Sequence, residues 1–235
     1  MKKFGIKIVF LLFFSGLAYA DTISVTGFRA LPQEKSNWCW AASVQSIFLT
    51  KGLEVAQSKI VTAAYGSPVN RTAPGFYGTL NVLNGLAVST DGSTWKVNAS
   101  AVNRFPDAKW LYNELQNNKP VMIWYQDNTS NHSIIINGGK YTKDGYGNIY
   151  WQQISAYDPW LKRNMKIDAA NIPKYVYGSF VIELKRLDIL GDAPGETPDD
   201  VSEESPKVGS SGCAKETTPY GYIRSGCEGI TKRMK

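Results

Sequence analysis

The sequence predicts an α+β fold, with helices first and antiparallel strands after. Three observations predict it. Over roughly the first half of the 235 residues, apolar side chains recur at helical spacing. From residue 120 onward they gather instead into short runs rich in Ile, Val, Tyr, Phe and Trp. A glycine-rich turn, Lys143-Asp-Gly-Tyr-Gly-Asn148, separates two of those runs. Partly segregated helices and strands bury their apolar faces as two layers, an N-terminal helical half packed on a C-terminal antiparallel sheet.

The elements follow in order. Residues 21–35 read as extended, with alternation through Ile23, Val25 and Phe28 before Pro32. A helix is expected over about 38–50, with Trp40, Val44, Ile47 and Phe48 on one face and its end near Gly52. Ser36 or Asn37 is placed to cap it, because a short side-chain oxygen accepts from an unpaired N–H of the first turn. A second helix over about 55–65 carries Val55, Ile60, Ala63 and Ala64 and stops before Gly66-Ser-Pro68. Residues 78–86 give a third, short one. Pro106-Asp107 opens a fourth, with Trp110, Leu111 and Leu115 on one face and Asn117-Asn118 at its end. Strands are then expected over 120–125, 133–137, 149–157 and 175–187. Glycines on both sides of Tyr146 leave the register of the central hairpin open by a residue or two.

The two ends of the chain differ from its middle. Lys2, Lys3 and Lys7, an apolar run from Ile8 to Phe14 and the Ala18-Tyr-Ala20 cleavage pattern make residues 1–20 a secretory signal peptide, with Asp21 as the mature N-terminus. The protein is therefore expected to be exported, to a periplasm or to the medium, with no membrane segment after cleavage. The globular domain spans 21–190. Residues 191–212 hold six acids and no base before Lys207, with almost nothing apolar, which describes a flexible acidic linker. The tail over 213–235 is too small for a core of its own.

The formal charge of +6 falls to about +3 without the three signal lysines, and the remaining 23 basic residues are scattered among 20 acids. Such a distribution leaves no electrostatic footprint for nucleic acid. The three cysteines are an odd number for an exported chain. Cys213 and Cys227 lie fourteen positions apart in the tail and form the natural disulfide, closing a loop of about 15 residues for roughly 3 kcal/mol in the chain-entropy picture. Cys39 is left as a free thiol.

Chemistry is concentrated around that thiol. Cys39 falls in the first turn of its helix, where the dipole's positive end favours a thiolate nucleophile. A buried structural cysteine fits the local sequence as well. His132 is the single histidine of the chain. It heads one strand and Asp158 ends the next, each thirteen residues from Gly145, so a hairpin centred there sets them directly opposite or nearly so. A carboxylate beside an imidazole fixes its tautomer and stabilises the imidazolium. An Asp-Pro turn at a strand end is the plainer account of Asp158-Pro159. Gln33, six residues before Cys39, can aim its amide where the Cys39 N–H points, giving two donors for one developing oxyanion, although a Gln in a loop carries no such signal alone. Of the seven tryptophans, Trp160 is placed to shield the His–Asp pair.

Together these pieces resemble the papain-like cysteine peptidases. The resemblance rests on Gln33, on Asn37-Trp-Cys-Trp-Ala-Ala42 opening a helix, on Asn131-His-Ser133 before an apolar run, and on Ala156-Tyr-Asp-Pro159. The compact spacing is similar to bacterial secreted branches, those of bacteriocin-processing peptidases and of plant-pathogen effector peptidases. It covers about residues 28–187. By resemblance Cys39 is the nucleophile, His132 the general base and acid, Asp158 its orienter and Gln33 the oxyanion-hole side chain. The substrate is then a peptide or protein cleaved through a thioester, and no cofactor or metal is implied. Asp158 stands where papain itself uses Asn. A deamidase or transglutaminase-type effector uses the same machinery, and an inactive peptide-binding module is the non-enzyme alternative. A binder has no need to keep Gln33, Cys39, His132 and Asp158 together.

Overall fold

The computed structural model describes residues 20–90, 93–126, 131–187, 215–217 and 223–225. The expected signal peptide apart from Ala20, the expected acidic linker, Cys213 and Cys227 lie outside these residues. Element order is β1 (Asp21–Ser24), α1 (Cys39–Thr50), α2 (Gln57–Tyr65), α3 (Phe76–Asn84), β2 (Ala87–Thr90), β3 (Ser93–Val102), α4 (Ala108–Gln116), β4 (Val121–Gln126), β5 (Asn131–Lys143), β6 (Ile149–Asp158), β7 (Arg163–Asp168), β8 (Val176–Leu187), β9 (Lys215–Thr217) and β10 (Ile223–Ser225).

One antiparallel sheet runs in the order β7-β6-β5-β4-β8-β3-β10-β9, with β1 added on β5 and β2 on β3. The strands of the second half alternate, so each sends one set of side chains to either side. On one side Met122, Trp124, Ile135, Tyr157, Phe180 and Ile182 meet α1, α2 and α3 in a core containing Trp40, Ile47, Phe48 and Ile60. On the other, Val121, Ile123, Ile134, Ile136 and Ile154 pack under Trp110, Leu111 and Leu115 of α4. Each such fully buried aliphatic or aromatic side chain contributes about 1.5–3 kcal/mol of transfer free energy.

The structure is therefore α+β as expected, although its two halves are less segregated. The β2–β3 hairpin comes from the stretch expected to be helical or irregular, and β3 pairs with β8 over its whole upper length, from Thr94↔Leu187 to Val102↔Ser179. Its alternating Trp95, Val97, Ala99 and Ala101 are diluted by Ser, Thr, Lys and Asn, which hid the period of two. The third helix starts two residues earlier than expected, at Phe76, behind Gly75 at φ 80°. β7 was also unforeseen, and β5 runs well past 137. Only Asp21–Ser24 of the extended N-terminus forms a strand.

Two further expectations need correction. Neither Ser36 nor Asn37 caps α1: the N-cap position is Trp38, with no side-chain cap bond. Asp107 by contrast does cap α4, accepting from Trp110 N. The β5–β6 hairpin turns around Tyr146, one residue later than Gly145, since Lys143 pairs with Ile149 and Ile135 with Tyr157. Continuing that register sets position 160 opposite His132, so Asp158 is its diagonal neighbour. Diagonal positions remain within reach of long side chains.

Candidate active site

Cys39, His132 and Asp158 meet at one end of the sheet because three elements start or stop there: α1 begins at Cys39, β5 at Asn131, and β6 ends at Asp158. α1 is buried over most of its circumference, with Ala41, Ala42 and Ser43 fully enclosed. These small residues let the helix lie close on the sheet. Ser133, next to His132, donates from Oγ to Ser43 Oγ at 3.0 Å, a buried polar tie one turn past Cys39.

His132 Nε2 lies 2.7 Å from Asp158 Oδ1. A carboxylate accepts, so Nε2 carries the proton and Nδ1 is left on the side of Cys39, whose side chain is near enough to help raise the His132 pKa. Asp158 is only 2% exposed. Its Oδ1 also accepts from the N–H groups of Trp160 (2.8 Å) and Leu161 (3.0 Å). Burial pushes the Asp158 pKa up, but the His132 hydrogen bond and charge and the two backbone N–H groups outweigh it and hold the carboxyl below its ordinary value. For His132, burial works downward; hydrogen bonds and charges from Asp158 and Cys39 prevail and raise the pKa to about 9. The site therefore holds the imidazolium through neutral pH. The Tyr125 and His132 rings meet nearly at right angles, their centroids 5.7 Å apart. Trp160, by contrast, is 56% exposed and packs no buried roof over the pair.

Cys39 is half-buried and free. The segment before it is held by residues that sequence reading passed over. Asn37 N donates to Asn70 Oδ1 and Asn37 Nδ2 to Asn70 O, while Asn70 Nδ2 donates to Ser36 Oγ. The indole N–H groups of Trp38 and Trp40 donate to Val69 O and Arg71 O. The loop between α2 and α3 thus clasps the nucleophile's approach, and the conspicuous tryptophans serve as anchors. Tyr177 is a second omission: burial and then the charge of Cys39 raise its pKa, and its ring packs on Trp124 at 5.9 Å. No local pattern pointed to either residue.

Gln33 sits where its backbone N donates to Pro159 O at 3.1 Å, which joins its loop to the segment carrying Asp158. Its side-chain Nε2 donates to Lys35 O (2.7 Å) and Ser36 O (2.9 Å). Its Oε1 is buried without a partner. Turning the amide over would set oxygen against two carbonyl oxygens, so the two bonds fix its orientation.

The sequence profile of the papain-like cysteine protease AvrRpt2 family matches residues 24–174, which contain all four of these residues. The chain belongs to that family. The peptidase domain of Streptococcus ComA, a bifunctional ABC transporter involved in a quorum-sensing pathway, is similar at 13% identity and a TM-score of 0.46, over 67% of this chain and 97% of that one. No curated protein matches the chain. Among the described residues, no three His, Cys, Asp or Glu side chains gather in a way that could hold a metal, and no helix is long and apolar enough to cross a membrane.

Proposed function

We propose that this papain-like family member is a cysteine peptidase that cleaves peptide bonds through a thioester on Cys39. The observation that carries the reading is His132, bonded through Nε2 to a buried Asp158, with Cys39 near enough to act on its titration. In this reading Cys39 Sγ attacks the scissile carbonyl carbon and its proton resides on His132 Nδ1. As the tetrahedral intermediate collapses, the C–N bond breaks and the amine leaves with that proton. Water then gives a proton to His132 and attacks the thioester, the C–S bond breaks, and the acid departs. Asp158 keeps the ring oriented throughout and stays ionised.

The oxyanion meets the N–H of Cys39, in a first turn that no side chain caps. Gln33 is the second donor. Its Nε2 hydrogens rest on neutral carbonyls, and a charged oxygen is the stronger acceptor, so one of them changes partner as charge develops. Residues 1–20 export the protein, and Cys213 pairs with Cys227.

A thiol-directed epoxide inhibitor tests the reading. It is expected to label Cys39 in the parent protein and to lose at least about 100-fold in rate when His132 is changed to Ala. Cys39→Ala should abolish peptide cleavage with the fold intact. Labelling that is indifferent to His132 would remove the catalytic pair. Thiol counting on the unreduced, exported protein tests the bridge: one reactive thiol supports it and three exclude it.

A further inference from the structure

We infer that Gln57, which no motif connects to catalysis, is a positioning residue for Gln33. The inference rests on the oxyanion role given to Gln33 above. Gln57 is the first residue of α2 and is 1% exposed. Burying a primary amide is costly unless its hydrogen bonds are made. Here they are all spent in one place. Oε1 accepts from Glu34 N at 2.9 Å, and Nε2 donates to Pro32 O at 2.9 Å. Those two backbone groups bracket Gln33 on either side.

The second Nε2 hydrogen goes to Gln45 Oε1 on α1, also at 2.9 Å. Glu34 N, which can only donate, and Pro32 O, which can only accept, fix which way round the Gln57 amide lies, and Gln45 steadies it there. Gln33 N, in turn, donates to Pro159 O. The peptide groups at 32, 33 and 34 are therefore tied in succession to α2, to the Asp158 loop and again to α2, and the side chain between them has no freedom to drift. Packing does not explain the choice of glutamine. α2 meets the core through the fully buried Ile60 and Val61, with Ala63, Ala64 and Tyr65 packed beside them, and an apolar residue at 57 would leave Pro32 O and Glu34 N without this partner. A donor displaced by even about 1 Å loses on the order of 100-fold in rate.

Gln57→Met separates positioning from mere stability. Turnover of a peptide substrate should fall roughly 10- to 100-fold in kcat with KM within about twofold, because an oxyanion donor acts in the transition state. Alkylation of Cys39 by iodoacetamide needs no oxyanion hole and should keep its rate. On a Gln33→Ala background, Gln57→Met should add little, since it acts through the residue already removed. Amide exchange supplies a readout independent of turnover: protection of the Glu34 N–H should be lost in Gln57→Met while that of α1 persists. If Gln57→Met fails to fold, Gln45→Ala removes only the side chain that steadies Gln57 and should give the same pattern at smaller size. Equal losses in turnover and alkylation, additive losses in the double variant, or an unchanged Glu34 amide would each overturn the inference. A parent protein that alkylates at Cys39 yet cleaves no peptide would sink the peptidase reading instead, and the Glu34 amide would still decide the clamp.

Discussion

The two ends of the β5–β6 hairpin each carry an aspartate wrapped in hydrogen bonds, and they differ in what those bonds do. At the turn, Asp144 accepts from Tyr146 N, Asn148 N, Asn148 Nδ2 and the Tyr150 hydroxyl. The side-chain bond from Asn148 leads the causes that lower its pKa, and the carboxylate stays open to water. At the other end, Asp158 accepts from two backbone N–H groups and from His132 while 2% exposed. Similar counts of bonds have different consequences because water competes for one carboxylate and is excluded from the other. The turn aspartate shapes a loop around Gly147 at φ 84°. The buried one, together with Cys39, raises a histidine's titration to about 9.

Substitutions along the hairpin can break this contrast. The largest effect is expected from Asp158→Ala, which leaves His132 without its orienter and two N–H groups without an acceptor. Turnover should fall by about 100-fold or more, with a loss of stability of roughly 3 kcal/mol from the broken buried pair. A rate within a few-fold of the parent would assign the orienting role elsewhere, with Asn137 or Asn131 next to examine.

Asp158→Asn is the sharper probe, because its amide oxygen can still accept from Trp160 and Leu161 while the charge is gone. The parent should keep its imidazolium, and its activity, until pH rises through about 9. Without the carboxylate charge that alkaline limb should move to lower pH; an unmoved limb would detach the raised titration from Asp158. Stability has its own signature. His132, raised above 6.5, contributes fully below that value and loses its contribution as pH climbs through about 9. Asp158, lowered from 3.8, contributes fully above 3.8 and loses its contribution as pH falls through its folded value. The pair should therefore stabilise most between 3.8 and 6.5, as denaturant titrations across pH can check.

Midway along the hairpin, Gly139→Ala should cost stability and spare the chemistry. A Cβ there would lie 2.5 Å from Gln153 O and 2.7 Å from the Trp151 ring, so β5 and β6 must part. A loss of about 1–3 kcal/mol is expected from this overpacking, with kcat per folded molecule unchanged. Asp144→Ala should have the smallest effect, with no change in turnover and a smaller drop in melting temperature than Asp107→Ala, whose lost helix cap costs about 1 kcal/mol. An Asp144→Ala variant that lost turnover would show the turn and the site to be coupled through the strands.

The sequence by itself determined the elements whose apolar period is strong and local: α1, α2, α4 and the apolar strands expected over 120–125 and 133–137, which fall in β4 and β5. It also singled out Cys39, His132 and Asp158, because a lone histidine, a free cysteine at a helix start and equal spacing from one turn leave few combinations, whereas Gln33 stood out only through the resemblance to papain-like peptidases. Tertiary structure alone decided how these meet. β3 and β7 carry too few apolar residues to announce themselves, and they become strands because β8 and β6 offer them unpaired edges. The diagonal pairing of His132 with Asp158 depends on where the hairpin turns, which glycines on both sides of Tyr146 leave undetermined locally. Asn70 and Gln57 lie 31 and 18 residues from Cys39 in sequence, and their side chains reach the backbone of Asn37 and of Pro32 and Glu34, groups that every residue offers in some form. A side chain that recognises backbone leaves no mark in its partner's identity, so only the folded chain reveals it.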